Sequence, residues 1–296
     1  MSDHSCLTEA AGHLRPRRGE TAFGCPRNFF DNRFVYVVIS PRARGLSIGI
    51  NMNPDKYCDF DCVYCEVDRK VAPKEKELDV AVMGEELRKT LELVKSGKIR
   101  EHPAFRGLND DLLKMRHVAF SGDGEPTLSP KFAEAVQAAV HVRARHLPFF
   151  KLVLITNGSG LDSAVVQENL RYLTRDDEVW IKLDAGTQVY MDQVNRAQVP
   201  LRKVLKNALL VGRRRPIIIQ SLFPCIADQE PPQAEIDQYV NCLNELKNGG
   251  AEISLVQIYS ATRPTARSQC GHLPLKVLSR ISQLIKSQTG IKADVF

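Results

Sequence analysis

Three cysteines stand in one short run, NMNPDKYCDFDCVYCEVDR, at Cys58, Cys62 and Cys65. Thiolates this close in sequence serve a single metal centre, and their number decides which one. Structural zinc takes four Cys or His ligands, yet neither a histidine nor a fourth cysteine lies near the trio. Three thiolates satisfy three irons of a 4Fe-4S cubane and leave the fourth iron open. Two readings of another class stand beside this one. A zinc-stabilised nucleic-acid-binding module would need a fourth ligand and a basic recognition face, and a non-catalytic iron-sulfur carrier would fill all four cluster positions with protein ligands. Cys6, Cys25, Cys225, Cys242 and Cys270 are scattered without ligand spacing. The last three read mainly as structural, with Cys225 and Cys270 nearest to strand-end loops.

A metal loop has to be held by regular elements, and short apolar runs supply them. Residues 1–33, rich in Arg, Gly and Pro, read as an N-terminal extension, and residues 34–296 read as one domain that begins with FVYVVIS at 34–40. Six expected strands then follow: SIGIN at 47–51, HVAFSG at 117–122, KLVLITNG at 151–158, EVWIKLD at 178–184, PIIIQSLF at 216–223 and EISLVQIY at 252–259. Between or after them Leu87/Leu91/Val94, Ile236/Val240/Leu243 and Leu275/Leu278/Ile281/Ile285 recur at helical spacing. Strands alternating with helices specify a parallel sheet with right-handed crossovers, and runs as apolar as KLVLI require burial on both faces. Six such units are too few to close an eight-stranded barrel. The fold class is therefore α/β, an open partial (βα)6 barrel of parallel strands with outer helices.

The cysteine loop leaves the first of the six strands at its carboxyl end, where ligands of parallel α/β folds collect. Polar residues interrupt the apolar strands at the same ends: Thr156 and Asn157, Lys182 and Asp184, Gln220 and Ser221, and Gln257. All are expected to line one mouth.

The cysteine spacing resembles the signature of the radical S-adenosylmethionine superfamily. The run FSGDGEPTLSP at 120–130 resembles that superfamily's glycine-glycine-glutamate motif, here Gly122, Asp123, Gly124 and Glu125. The resemblance, which covers residues 47–296, implies a 4Fe-4S cluster on the three cysteines and S-adenosylmethionine on the open iron. Reductive cleavage to a 5′-deoxyadenosyl radical would then remove hydrogen from a substrate. It also implies that Tyr64 touches the adenine and that the backbone at Gly122 to Glu125 approaches the methionine amino group. Valine at Gly124 is accordingly expected to weaken cofactor binding and to spare the cluster. An external one-electron reductant, flavodoxin- or ferredoxin-like, is implied as partner. SGDGEPTL, WIKLDAG and VQIYSATRP look most like the short branch related to wyosine-type tRNA-modifying enzymes, which points to RNA or another anionic substrate. Peptide- or protein-modifying members are the alternative. Archaeal members of that branch carry extra N-terminal cysteines for a second cluster, where this chain offers only Cys6 and Cys25.

At 296 residues, 43% hydrophobic and 26% charged, the chain can bury a full core. It contains no run near the ~20 apolar residues of a membrane span and no secretory apolar stretch at its start, so a cytoplasmic protein without a membrane partner is expected. The net charge is +6, with basic clusters at Arg15/Arg17/Arg18, Arg42/Arg44 and Arg213 to Arg215 that suit phosphates or other anions.

Overall fold

Along a strand every second side chain points to the same side of its sheet, and in this chain the two sets differ in chemistry. The computed structural model describes residues 21–23, 29–263 and 270–296. Cys6, Cys25, Arg15, Arg17 and Arg18 lie outside the described residues. The strands are β1 (Val35–Ser40), β2 (Gly45–Asn51), β3 (Met115–Ser121), β4 (Lys151–Thr156), β5 (Glu178–Lys182), β6 (Ile217–Leu222), β7 (Cys225–Ile226), β8 (Ile253–Tyr259), β9 (Cys270–Gly271) and β10 (Ala293–Val295). The helices are α1 (Val80–Lys95), α2 (Asp110–Leu113), α3 (Phe132–Ala144), α4 (Ala164–Asn169), α5 (Gln188–Val194), α6 (Leu201–Gly212), α7 (Gln233–Asn248) and α8 (Leu275–Thr289).

Eight strands form one sheet in the order β1-β2-β3-β4-β5-β6-β8-β10, curled into a half-barrel with the helices outside. The six expected strands are its centre, β2, β3, β4, β5, β6 and β8, and neighbours among them run parallel. One side of these strands is mainly aliphatic or aromatic, with Thr156 and Ser221 as hydrogen-bonded polar members near the carboxyl ends. Ile48, Ile50, Phe120, Leu154, Ile181, Ile219 and Ile258 belong to the main core between sheet and helices. On the concave side Ala119, Val153, Trp180 and Ile218 form a separate small cluster. Polar residues take over there toward the carboxyl ends.

Two edge strands lie beyond the six. β1 pairs antiparallel with β2, and its first amides are closed by a buried carboxylate: Glu86 of α1 accepts N–H bonds from Arg33, Phe34 and Val35 at 2.7, 2.9 and 3.0 Å. β10 pairs parallel with β8 and is three residues long, too short to show a period. The two open edges are tied together. Arg44, in the turn from β1 to β2, stands 3.5 Å from Asp294 and over the ring of Phe296. Within the stretch before residue 34, Ala22 and Phe29 are buried against the domain. β7 and β9 form a two-stranded ribbon that carries Cys225 and Cys270, and Cys242 is buried on α7 with its thiol donating to the Gly186 carbonyl at 3.5 Å. No described helix is long and apolar enough to cross a membrane.

Candidate active site

The segment from Met52 to Asp79, between β2 and α1, has almost no regular structure and carries all three clustered cysteines. It is pinned to the carboxyl ends of the strands by its own backbone. Glu125 N–H donates to Tyr57 O at 3.0 Å, and Asp61 N–H and Val63 N–H donate to Asn195 O and Val194 O at the end of α5. Each sulfur meets an N–H. Phe60 N–H lies 3.4 Å and the Asn157 amide 3.9 Å from Cys58, the Asn195 amide 3.4 Å from Cys62, and the Arg69 guanidinium 3.8 Å from Cys65. Such donors favour thiolate over thiol. Burial works the other way, raising the Cys58 thiol and, with Asp184 nearby, pushing Cys62 up to about 11. A cationic centre reverses that balance, because a coordinating thiol is deprotonated outright. The donor set therefore suits thiolate ligation. Among the described residues, no group of three or more His, Cys, Asp or Glu side chains is drawn together for a metal ion.

The Gly122 to Glu125 turn, after β3, is spent largely on holding this loop. Glu125 is 2% exposed and its carboxylate accepts bonds from Thr127 N, Thr127 Oγ1, Thr156 Oγ1 and Asn157 N. Burial raises its pKa and those bonds work against the rise. Gly122 has φ +129° in the left-handed region, and a Cβ there would meet Asn51 Oδ1 at 2.2 Å. Asn51 in turn grips Asp123, donating to its carboxylate at 2.8 Å and accepting its N–H at 3.0 Å. A Cβ at Gly124 would stand 1.8 Å from Tyr57 O. This corrects the expectation that valine there spares the cysteine loop: the glycine makes room for the loop itself.

Across the mouth, Lys182 and Asp184 stand 3.0 Å apart. Asp184 also takes hydrogen bonds from Tyr64 Oη, from the Asn195 amide at 2.9 Å and from Leu222 N at 2.8 Å. Lys182 Nζ is 2.8 Å from Tyr259 Oη and lies over the rings of Tyr64 and Tyr259. Burial opposes its charge, but Asp184 and Tyr259 outweigh that and its pKa is raised. Gln220 donates to Gln257 at 2.8 Å on the concave side. Ser221 does not join them. It follows Gln220 in the strand, so it faces the helices, with its hydroxyl on Leu183 O and Tyr239 Oη. Thr156 likewise serves Glu125, whereas Asn157 bridges to Asp59 at 2.7 Å and so to the loop.

Asn51, Asn195 and Tyr259 were not legible as site residues from motifs. Tyr259 had a signal, since it lies two residues beyond Gln257 and shares its face. Asn195 had none, because only the packing of α5 brings it to Cys62. Below this mouth a cavity of about 300 Å³ runs into the half-barrel past Trp180, His117 and Arg42. The other end of the sheet carries a different basin, about 710 Å³, lined by Arg171, Arg175, Arg213, Arg214 and Arg215. Arg213 to Arg215 immediately precede β6, which places them at the amino ends of the strands, away from the cysteines.

No protein-family model matches the chain. A UPF0026 protein of Methanocaldococcus jannaschii is 29% identical over 175 residues, 59% of this chain and 46% of that protein. One from Helicobacter pylori is 25% identical over 177 residues, 59% of this chain and 50% of its own. A protein named GTPase Obg, from Brachyspira hyodysenteriae, is 24% identical over 263 residues, 87% of this chain and 34% of its own. The chain thus spans about a third to a half of the length of these curated relatives. The Gly-x4-Gly-Lys-[Ser/Thr] run of a nucleotide phosphate loop does not occur in the sequence.

Among solved structures, Streptococcus suis SuiB bound to S-adenosylmethionine superposes with a TM-score of 0.57 at 14% identity, covering 82% of this chain and 49% of SuiB. TYW1 with a lysine-pyruvate adduct bound gives 0.56 at 14% identity, covering 88% and 85%. AdoMet-bound anSMEcpe gives 0.52 at 15% identity, covering 84% and 63%. The chain has the radical S-adenosylmethionine fold. Within that fold its three cysteines, the Gly122 to Glu125 turn and the Lys182–Asp184 pair emerge from the carboxyl ends of β2, β3 and β5.

Proposed function

We propose that the chain is a radical S-adenosylmethionine enzyme whose Cys58, Cys62 and Cys65 hold a 4Fe-4S cluster. The observation that carries this reading is the donor set: three thiols on one loop at the carboxyl ends of a parallel half-barrel, each met by an N–H. When bound, the cluster and S-adenosylmethionine together supply one-electron cleavage to methionine and a 5′-deoxyadenosyl radical, which takes a hydrogen atom from the substrate.

The residues of the chain bind, orient and exclude. Asn195 links the Cys62 thiol to Asp184 and Tyr64, so hydrogen bonds tie the loop to the ends of β5 and α5. Gly122, Asp123, Gln220 and Gln257 offer backbone and amide groups to a cofactor at the mouth, beside the Tyr64 ring. Lys182 adds a half-buried positive charge already balanced by Asp184. The concave cluster of Ala119, Val153, Trp180 and Ile218 gives the cavity an apolar stretch of wall, which suits radical chemistry kept away from water. Exposed Tyr57, next to Cys58, with exposed Arg69, Lys70 and Lys74, forms a face suited to an acidic flavodoxin- or ferredoxin-like donor.

Anaerobic reconstitution with iron and sulfide tests the reading. One 4Fe-4S cluster per chain is expected by iron and sulfide analysis and visible spectrum, lost on alanine substitution of Cys58, Cys62 or Cys65 and kept in Cys242→Ala. Dithionite should then drive formation of 5′-deoxyadenosine from S-adenosylmethionine. A chain that loads zinc fully and never develops iron-sulfur absorbance would sink the proposal.

A further inference from the structure

Among the described residues that line the half-barrel cavity, the charges are paired, with one exception. Lys182 is matched by Asp184 at 3.0 Å and Arg263 by Glu66 at 3.3 Å. His117 is neutral: burial, with Lys151 and Arg42 nearby, pushes its pKa down to about 3, and its Nε2 lies 2.8 Å from Ser47 Oγ. Arg42 enters the same cavity from the turn between β1 and β2. Its guanidinium lies over the Tyr259 ring, 4.2 Å from the centroid, and its Nε is buried without a hydrogen-bond partner. No Asp or Glu pairs with it among the described residues. Most arginines that reach a neighbouring carboxylate do so on the surface, as Arg33, Arg88 and Arg202 do. Arg42 keeps an unmatched charge in the cavity, where an unmade bond costs most.

We infer that Arg42 is the docking point for a carboxylate of the substrate. The inference rests on the radical S-adenosylmethionine reading for taking this cavity as the substrate's. A guanidinium held against an aromatic ring keeps its N–H groups for another partner, and two parallel N–H groups on one of its edges match a planar carboxylate. One unmatched positive charge calls for a monoanion. A phosphate ester would bring a second negative charge to a cavity whose other cations are already matched, and a polynucleotide would need a row of such cations. Arg42 enters from the turn before β2, whereas the cysteine loop that would hold the cluster leaves the other end of that strand. Ser47 and His117, on the strands beside it, are neutral and add hydrogen-bonding groups without adding charge.

The cavity carries its own reporter. Trp180 is the sole tryptophan of the chain, lines the cavity and packs edge-on against His117 at 5.2 Å. The full chain is titrated with sodium acetate at constant ionic strength while Trp180 fluorescence is followed. A saturable change is expected, weakened at least about tenfold in Arg42→Gln and partly restored in Arg42→Lys. Methyl phosphate should bind more weakly than acetate. Four results would overturn the inference: no saturation with acetate in the natural chain, unaltered saturation in Arg42→Gln, tighter binding of methyl phosphate, or competition between acetate and S-adenosylmethionine. The last would give Arg42 to the cofactor's carboxylate. The titration needs neither cluster nor reductant, so saturation by acetate in a chain that never forms a cluster would refute the proposed chemistry and leave a carboxylate site. A cluster-loaded chain that ignores acetate would do the reverse.

Discussion

The two sides of the central sheet have the same backbone and opposite tasks. Toward the helices, Ile48, Phe120, Leu154, Ile181 and Ile219 are all but inaccessible and make an apolar face that only hydrogen-bonded Thr156 and Ser221 interrupt. Toward the concave side, the same strands contribute Ser47, His117, Ser121, Lys182 and Gln220, with Trp180 and Ile218 packed between them. Burial on the first side supplies stability, at roughly 25 cal/mol per Å² of apolar surface removed from water. On the second side the polar groups are buried only because they satisfy one another, and such groups are worth little to folding and much to orientation. Substitutions on one side should act on the fold, and on the other on the site.

The largest expected effect lies where the two tasks meet. Gly124→Val places a side chain against Tyr57 O, 1.8 Å from where its Cβ must go, so the cysteine loop has to leave its seat. The variant should keep its far-UV circular dichroism yet lose the cluster and cofactor cleavage together. Retention of a full cluster with cofactor binding alone weakened would show that the loop can yield and that this glycine faces the ligand instead.

A helix-side truncation comes next in size. Leu154→Ala, in β4, removes a fully buried side chain from the main core and should cost about 2–5 kcal/mol in denaturant unfolding. Cofactor cleavage per folded molecule should survive. If cleavage fell in step with stability at temperatures where the variant is folded, the two sides would be coupled and the contrast drawn here would fail.

Much of this contrast was legible from residue order. The six central strands announce themselves as aliphatic runs, and the inward set follows from period two once one member is fixed. By that rule Gln220 and Ser221, as neighbours, face opposite ways, so grouping both at the mouth overlooked the pleat. Other features were out of reach. The closing of the first β1 amides depends on a buried Glu86 more than fifty residues away, β10 is three residues long, and Asn195 reaches Cys62 only through the packing of α5. The reason for Gly124 was also hidden, since its partner is another loop and no motif encodes that distance.

His117 gives the concave side a measurable pH signature. Its pKa in the folded chain is depressed to about 3 from the usual 6.5, so between these values the unfolded chain binds a proton that the folded chain refuses. Its contribution is fully present above pH 6.5 and is lost as the pH falls toward 3, with a slope of up to ~1.4 kcal/mol per pH unit. Urea titrations across this range should show the decline, and His117→Phe should flatten it. An unchanged slope in that variant would place the titrating group elsewhere.

The smallest effect belongs to the amino end of the sheet. Arg213 donates to Gly249 O at 2.7 Å and Arg214 to Gln167 at 2.7 Å, both at exposed positions, whereas Arg215 holds the carbonyls of Leu170, Leu173, Thr174 and Asp177. Arg215 therefore belongs to the fold, and neutralising all three together would mix two effects. The double variant Arg213→Gln/Arg214→Gln should move stability by less than about 0.5 kcal/mol. It keeps the cysteine loop untouched, so cofactor cleavage without substrate should match the natural chain. Polyanion binding is where it should differ. The basin gathers guanidinium groups with little compensating charge, so bulk tRNA retained on filters at low salt should be held less tightly by the variant, with the slope of log affinity against log salt reduced by about two. A slope identical to that of the natural chain would remove this end of the molecule from any nucleic-acid contact and leave the mouth as the only face with a ligand.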